Sequence, residues 1–334
     1  MADSSGVLIV GELSDGAIAG VTGELLGVGR KLADSLGEDL SAVFFGSSIA
    51  EETAKGAFPM GADKVYLADA LVFEGYQPES AVEVLEKLCK DVSPSVVVLA
   101  VTNTGRDLAP RLAHKLQTGL AMDCIDLNIE SGTNSLIATR PVFGGKALAE
   151  VDCGAVKPAM ASVRVKSQEA LDPDQSRSGE IISVEVNVDS SVAKTAVVDN
   201  ITVEVEGVKL EDARVVVGGG RGIGSLDNWQ VLETLASDLS GAVGSTRGAC
   251  DEGYCALDTQ LGITSKNVAP ELYLAIGISG ASQHMSGVSF SKHIVCINKD
   301  PDAPIFKHSE LGIVGRWEDI LPAFHQKVKE LIAE

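Results

Sequence analysis

VVVGGGRGIGS, residues Val215 to Ser225, is a β-branched run that ends in a glycine-rich turn. The run reads as a buried strand, and the glycines after it let the backbone turn tightly toward a ligand. A dinucleotide fingerprint needs G-x-G-x-x-G, the third glycine admitting close helix–strand packing. Counting from Gly220 gives Gly220, Gly222 and then Ser225; counting from Gly218 puts Ile223 in third place. The stretch is a near miss, and turn geometry alone is the alternative explanation of its glycines. Arg221 is the odd residue, because a guanidinium in a tight turn is aimed at an anion rather than into a core.

Downstream, strands and helices alternate. NWQVLETLASDL predicts a helix with Trp229, Leu232, Leu235 and Leu239 on one side. AVGSTR, ELYLAIGISG and HIVCIN read as strands, and ILPAFHQKVKELIAE as a closing helix with Ile320, Phe324, Val328 and Leu331 facing inward. Four further loops then sit at strand ends: GSTRGA (Gly244 to Ala249), TQLGITSK (Thr259 to Lys266), GISGASQH (Gly277 to His284) and INKDPDAPIF (Ile297 to Phe306). Each taken singly is a solvated turn. Together, at the carboxyl ends of strands in one domain, they describe a site for a large nucleotide.

Upstream, VLIVGE (from Val7), AVFFG (from Ala42), KVYLA (from Lys64) and SVVVLAV (from Ser95) are buried-strand runs. Helical faces lie between them: Leu25, Leu26, Leu32 and Leu36 within Gly23 to Leu36, and Val82, Val84, Leu85 and Leu88 within Pro78 to Cys89. GRDLAPRLAHKL, from Gly105, predicts a further helix with Pro110 near its first turn. This βαβ rhythm predicts a parallel sheet covered on both faces. From Asn128 the character changes. ATRPVFGGKALAEVDC and KPAMASVRV read as an antiparallel appendage, and IISVEVNV and ITVEVEGV alternate as strands. The boundary falls near Asn200, giving α/β domains at 1–200 and 201–334.

At 334 residues, 45% apolar but only 4% aromatic, the chain supports two domains with cores of Ala, Val, Leu and Ile. Its formal net charge of −20, with no Lys/Arg-rich run, excludes nucleic acid and anionic membranes as partners and reads as a solubility device. MADSSG has neither the basic start nor the apolar core of a signal peptide, and Val96 to Val101 is the longest apolar run; a cytoplasmic protein with no membrane insertion is expected. The six cysteines contain no CxxC, so neither a disulfide framework nor a metal site is predicted. Cys250 and Cys255 read as chance spacing in a reducing compartment. The histidines show no metal-ligand spacing, no GxSxG elbow is present, and a loop turn explains Lys299 and Asp300 as well as an acid–base pair does.

In this order, GGRG, GSTR, VAPELYLAIGISGASQH and INKDPDAPIF resemble the FAD-binding pattern of the alpha subunit of electron-transfer flavoproteins. NTGRDLAPRLAHKLQTGLAMDC, TRPVFGGKALAEV and KPAMASVR extend the resemblance over nearly the whole chain. It implies a nucleotide-binding-like N-terminal domain that contacts a beta subunit and a smaller, Rossmann-like FAD-binding C-terminal domain. The family's FAD contacts fall on Arg221, Thr246, Arg247, Gln260, Leu261, Gly262, Ile263 and Thr264. They continue through Ser279, Gly280, Ala281, Ser282, Gln283, His284 and Asn298 to Arg316 and Trp317.

The resemblance also implies roles. The Thr264 hydroxyl lies near flavin N5, His284 donates to the N1/C2-carbonyl edge, Arg247 adds positive charge, and the amides of Ser279 to Ser282 hold the pyrophosphate. Two departures stand out. Ile263 replaces a family glutamine, which bears on the flavin potential, and Arg316 replaces an aspartate, which leaves backbone contacts from Arg316 and Trp317 at the adenosine end. The expected function is an electron carrier without catalytic residues of its own. It pairs with a beta subunit holding AMP or a second FAD, accepts electrons from a dehydrogenase, and passes them to a quinone oxidoreductase or ferredoxin. The alternative is the FAD-bearing subunit of an electron-bifurcating complex linking NADH, ferredoxin and a high-potential acceptor. A nucleotide-sensing scaffold with a degenerate flavin site is the non-redox alternative.

Overall fold

A run such as VVVLA, apolar at every position, settles where both faces of a sheet are covered. The computed structural model of the chain describes residues 4–14, 16–143, 145, 147–153, 156–188, 192, 194, 197–199 and 208–333. The chain divides into two units, Met1–Ile201 and Thr202–Glu334.

The first unit runs β1 (Val7–Val10), β2 (Leu13–Ser14), β3 (Ala17–Ile18), α1 (Gly20–Leu36), β4 (Leu40–Gly46), α2 (Glu51–Lys55), β5 (Lys64–Asp69), α3 (Pro78–Val92), β6 (Val96–Ala100) and α4 (Asn103–Leu116). It continues β7 (Leu120–Cys124), β8 (Asp126–Ile129), β9 (Leu136–Val142), β10 (Ala147–Asp152), β11 (Ala159–Val163) and β12 (Glu180–Ser183). Seven strands form one parallel sheet in the order β12-β5-β4-β1-β6-β11-β7. The alternation within β1 sorts the core. Val7 and Ile9 join Leu25, Leu26 and Leu32 of α1 on one face, while Leu8 and Val10 join Leu85, Leu88, Leu108 and Leu112 of α3 and α4 on the other.

Three expectations change here. KPAMASVRV is no appendage: β11 is an interior strand buried at all five positions, inserted between β6 and the edge strand β7. Its small residues leave room for cover on both faces, which an exposed hairpin would not need. Of the expected appendage, β9 and β10 pair antiparallel in a three-stranded sheet of order β10-β9-β8. Pro110 lies well inside α4, because Thr102 caps the helix earlier, its hydroxyl accepting from Gly105 N at 3.0 Å. Pro110 and Arg106 both lie on the exposed side, where water can satisfy the carbonyl that loses its partner. IISVEVNV pairs in register with β5 only through Ser183, with Val184 N donating the last bond to Leu67 O at 2.8 Å. Val184, Val186 and Val188 pack on the core, the last two beyond the final backbone bond to β5. Of ITVEVEGV, Ile201 to Gly207 lie outside the described residues, as does Asn200.

The second unit runs β13 (Val215–Gly219), α5 (Leu226–Asp238), β14 (Ala242–Ser245), α6 (Arg247–Asp251), β15 (Leu272–Ile276), α7 (Ser282–Met285), β16 (His293–Asn298), β17 (Leu311–Val314) and α8 (Trp317–Ala333). Its five strands are parallel in the order β14-β13-β15-β16-β17, so the direction of winding reverses between β13 and β15. Trp229, Leu232 and Leu235 of α5 and Trp317 and Leu321 of α8 cover one face. The other is covered by Leu210, Leu261, Met285 and Ile305, mostly from loops and short turns. Leu331, expected inside, is 60% exposed. A 17-residue helix rises ~25 Å. Strands of four to six residues span only about 13–20 Å, so the last turns of α8 outrun the sheet.

Gly105 is a point of backbone contact in α4: a Cβ there would stand 1.9 Å from the Ala100 carbonyl oxygen at the end of β6. Neither group is a flexible side chain, so Gly105→Ala is expected to cost about 2 kcal/mol or more, measured by urea unfolding. Gly119→Ala, whose Cβ meets nothing within 4 Å, is the control and should lie within about 1 kcal/mol of the parent.

Candidate functional site

Parallel strands all point their carboxyl ends the same way, so the loops after them gather at one end of the sheet. Each strand of the second unit delivers a candidate residue there. Arg221 follows β13, Thr246 and Arg247 follow β14, Ser279 follows β15, Asn298 ends β16, and Arg316 follows β17. Gln260 to Thr264 reach the same end because Leu261 N donates at 2.9 Å to the carbonyl of Ser245, the last residue of β14.

The glycines of the opening stretch are used inside the protein. A Cβ on Gly218 would stand 2.1 Å from the Tyr273 hydroxyl, and one on Gly219 would meet Trp229 at 2.4 Å. Gly220 N donates to Ile276 O at 3.0 Å and Gly222 N to Gly277 O at 3.1 Å, clasping the loops after β13 and β15. A Cβ on Gly220 would lie 2.2 Å from the Gly277 oxygen. Gly277 (φ +63°) and Gly280 (φ +83°) adopt the left-handed conformation that favours glycine. The turn Arg221–Ile223 is closed by Gly224, and Ser225 caps α5 by accepting from Asn228 N at 3.2 Å. Trp317 Nε1 donates to Gly222 O at 3.1 Å, tying the start of α8 to the same loop.

Beneath this clasp lies His284, 6% exposed, with both ring nitrogens engaged. Nδ1 lies 3.2 Å from the Leu261 carbonyl and Nε2 2.8 Å from the Tyr273 hydroxyl. A carbonyl only accepts, so Nδ1 carries the proton and Nε2 accepts from Tyr273. Burial pushes the imidazole down to about 4 from its ordinary 6.5, against the smaller upward pull of the Leu261 bond, and it raises the fully buried Tyr273 phenol. His284 is therefore a neutral, oriented imidazole, and its Nδ1–H becomes a donor to a ligand only by leaving Leu261.

The remaining candidates divide into engaged and free groups. Asn298 is engaged, its amide donating to Ile278 O at 2.7 Å and accepting from Asp300 N at 2.9 Å. Ile263 N donates to Gln283 O at 2.9 Å and Gly262 N to Lys266 O at 3.1 Å, so Gln260 to Thr264 are locked to the segment that carries His284. Arg247 is 3.4 Å from Asp251 and Arg316 is 3.0 Å from Glu318. Arg221 is exposed and has no ion pair among the described residues. The exposed Thr264 hydroxyl and the N–H groups of Ser279, Gly280, Ala281, Ser282 and Gln283 also find no acceptor among the described residues. Two positioning residues stand outside the candidate set. Tyr273 sits in an apolar strand run, where only the need of a buried phenol for a partner signals it. Ser245, fully buried, accepts from Thr259 Oγ1 at 2.9 Å.

The His284 environment makes the second unit pH-sensitive. The unfolded chain takes up a proton as pH falls through 6.5, whereas the folded one does so only near 4. The contribution is thus fully present above pH 6.5 and lost as pH falls toward 4, a change of about 3 kcal/mol at most. Both tryptophans, Trp229 and Trp317, belong to this unit, so tryptophan fluorescence in urea reports it alone. His284→Gln is expected to flatten the dependence across that window.

The chain was compared with known proteins. The model of the electron transfer flavoprotein domain matches residues 7–189, and that of the electron transfer flavoprotein FAD-binding domain matches residues 209–289. An "Electron transfer flavoprotein subunit alpha" from Thermoanaerobacterium thermosaccharolyticum is 39% identical over 331 residues, 99% of this chain and 100% of the relative. "Protein FixB" of Clostridium saccharobutylicum is 38% identical over 100% of this chain and 99% of its own. An electron transfer flavoprotein subunit alpha from Bacillus subtilis is 38% identical over 97% and 98%. With family-specific matches in both units and relatives aligned end to end, the chain belongs to the electron transfer flavoprotein alpha-subunit family, whose FAD-binding domain it carries in its second unit.

Proposed function

We propose that the chain is the FAD-bearing subunit of an electron carrier, with its flavin site formed by the loops at the carboxyl ends of β13 to β17. The observation that carries this reading is the run of unengaged N–H donors from Ser279 to Gln283, beside the unpaired Arg221, at the point where the winding of the sheet reverses. Consecutive free amides and a guanidinium are a donor set for a pyrophosphate. Thr246, Arg247, Gln260 to Thr264, His284, Asn298, Arg316 and Trp317 complete the site in this reading. FAD supplies the electron-accepting chemistry when bound. The residues would bind and tune it: Arg247 would add positive charge near the ring, the free Thr264 hydroxyl would serve N5, and His284 would offer Nδ1–H once it gives up the Leu261 carbonyl.

A beta subunit, carrying AMP or a second FAD, completes the carrier. Electrons enter from a partner dehydrogenase and leave toward a quinone oxidoreductase or ferredoxin. The heterodimer works in the cytoplasm, a placement supported by six unpaired cysteines. No helix among the described residues is long and apolar enough to cross a membrane.

Flavin binding and redox measurements test this. The heterodimer reconstituted with FAD should show bound-flavin absorbance, and Arg221→Ala should weaken FAD retention about tenfold, equivalent to ~1.4 kcal/mol. Absence of flavin absorbance would sink the reading. Counting FAD against AMP and testing reduction by NADH separates the carrier from a bifurcating assembly. His284→Ala is expected to lower the flavin midpoint potential and, by orphaning Tyr273, to cost about 1–3 kcal/mol of stability. An unchanged midpoint in a folded variant contradicts the role given to the histidine.

A further inference from the structure

The Cys250 and Cys255 sulfurs face each other at 3.5 Å. The short helix α6 ends at Asp251, and Gly253, at φ +75°, turns the chain back so that Tyr254 N donates to Ala249 O at 3.1 Å. This fold-back sets Cys255, half-buried, over Cys250, which is 8% exposed. We propose that these two thiols form a reversible dithiol–disulfide site whose oxidants are low-molecular-weight disulfides, and that its state is read out at the loop Thr246–Arg247.

The geometry assigns unequal roles. Cys255, the more accessible, attacks as thiolate on one sulfur of the small disulfide, releasing the other as a thiolate and leaving a mixed disulfide. Cys250 then attacks the Cys255 sulfur, its proton passing to the second departing thiol. The protein dithiol loses two electrons and two protons, and one small disulfide becomes two thiols. Burial holds the Cys250 thiol up at about 11, against the lowering bond from Ser245, so it suits the resolving rather than the attacking position.

The readout follows from what Cys250 touches. Its sulfur lies 3.0 Å from the Ser245 hydroxyl, the same hydroxyl that accepts from Thr259, while the Ser245 carbonyl accepts from Leu261 N. A disulfide requires the sulfurs to close to about 2.05 Å. Closing the gap draws Cys250 away from Ser245 and strains the turn that starts at Thr246 and Arg247. This coupling rests on the flavin site proposed above; formation of the bond does not.

The test uses the FAD-loaded heterodimer, equilibrated in buffers of varied oxidised-to-reduced glutathione ratio, acid-quenched and digested. We expect a peptide joining Cys250 to Cys255, lighter by two hydrogens than the reduced pair and reversed by dithiothreitol, together with several-fold faster FAD release. Cys255→Ser should abolish both effects, and Cys250→Ala should stop at a glutathione adduct on Cys255. Only an adduct in the parent protein, a cross-link to another cysteine, or no cross-link at any ratio overturns the site. A cross-link with unchanged FAD release overturns the coupling. Failure to load FAD at all refutes the flavin reading, while the cross-link is still scored on the same sample.

Discussion

The hydrogen bond between Tyr273 and His284 organises the second unit. It needs space for a phenol at the sheet surface, and β13 provides it by having no side chain at Gly218. It needs a neutral imidazole, and burial supplies that. It needs the ring's other nitrogen to be satisfied, which brings the Leu261 carbonyl over and with it Gln260 to Thr264. Strand, loop and histidine are thus one arrangement, and a Cβ at a single glycine would disturb all of them.

This changes what a glycine-rich turn means here. The fingerprint logic assigns such glycines to the close approach of a pyrophosphate. In this chain Gly218 and Gly219 clear Tyr273 and Trp229, and Gly220 and Gly222 admit the backbone of Gly277. The free donors lie on the neighbouring loop, after β15. The turn after β13 acts as a brace, with Arg221 projecting from it.

Much of the architecture was legible because its cause is local. VVVLA can only be a strand covered on both faces, and Trp229, Leu232 and Leu235 repeat with the period of a helix. The placement of Ala159–Val163 was not legible, because its partners in β6 and β7 are distant in sequence and its small residues carry no pairing signature. Pro110 was misplaced because the cap at Thr102 outweighs the preference of proline for a first turn. At the site, the loops could be read from residue types and strand ends, but the bonds between loops could not. Tyr273 looked like one more core residue, and the spacing of Cys250 and Cys255 says nothing of where their sulfurs point.

The clasped loops have a kinetic and thermal consequence. Where the backbone of a binding surface is already held by its own bonds, a ligand does not have to order it on arrival. Association with such a surface is governed by diffusion and by the few side chains that must move. Its binding heat capacity reflects the ligand's own apolar surface, without the large term that accompanies folding a segment. Rigid braces also keep the distance from a bound redox group to the protein surface constant, which suits a protein whose work is to meet successive partners.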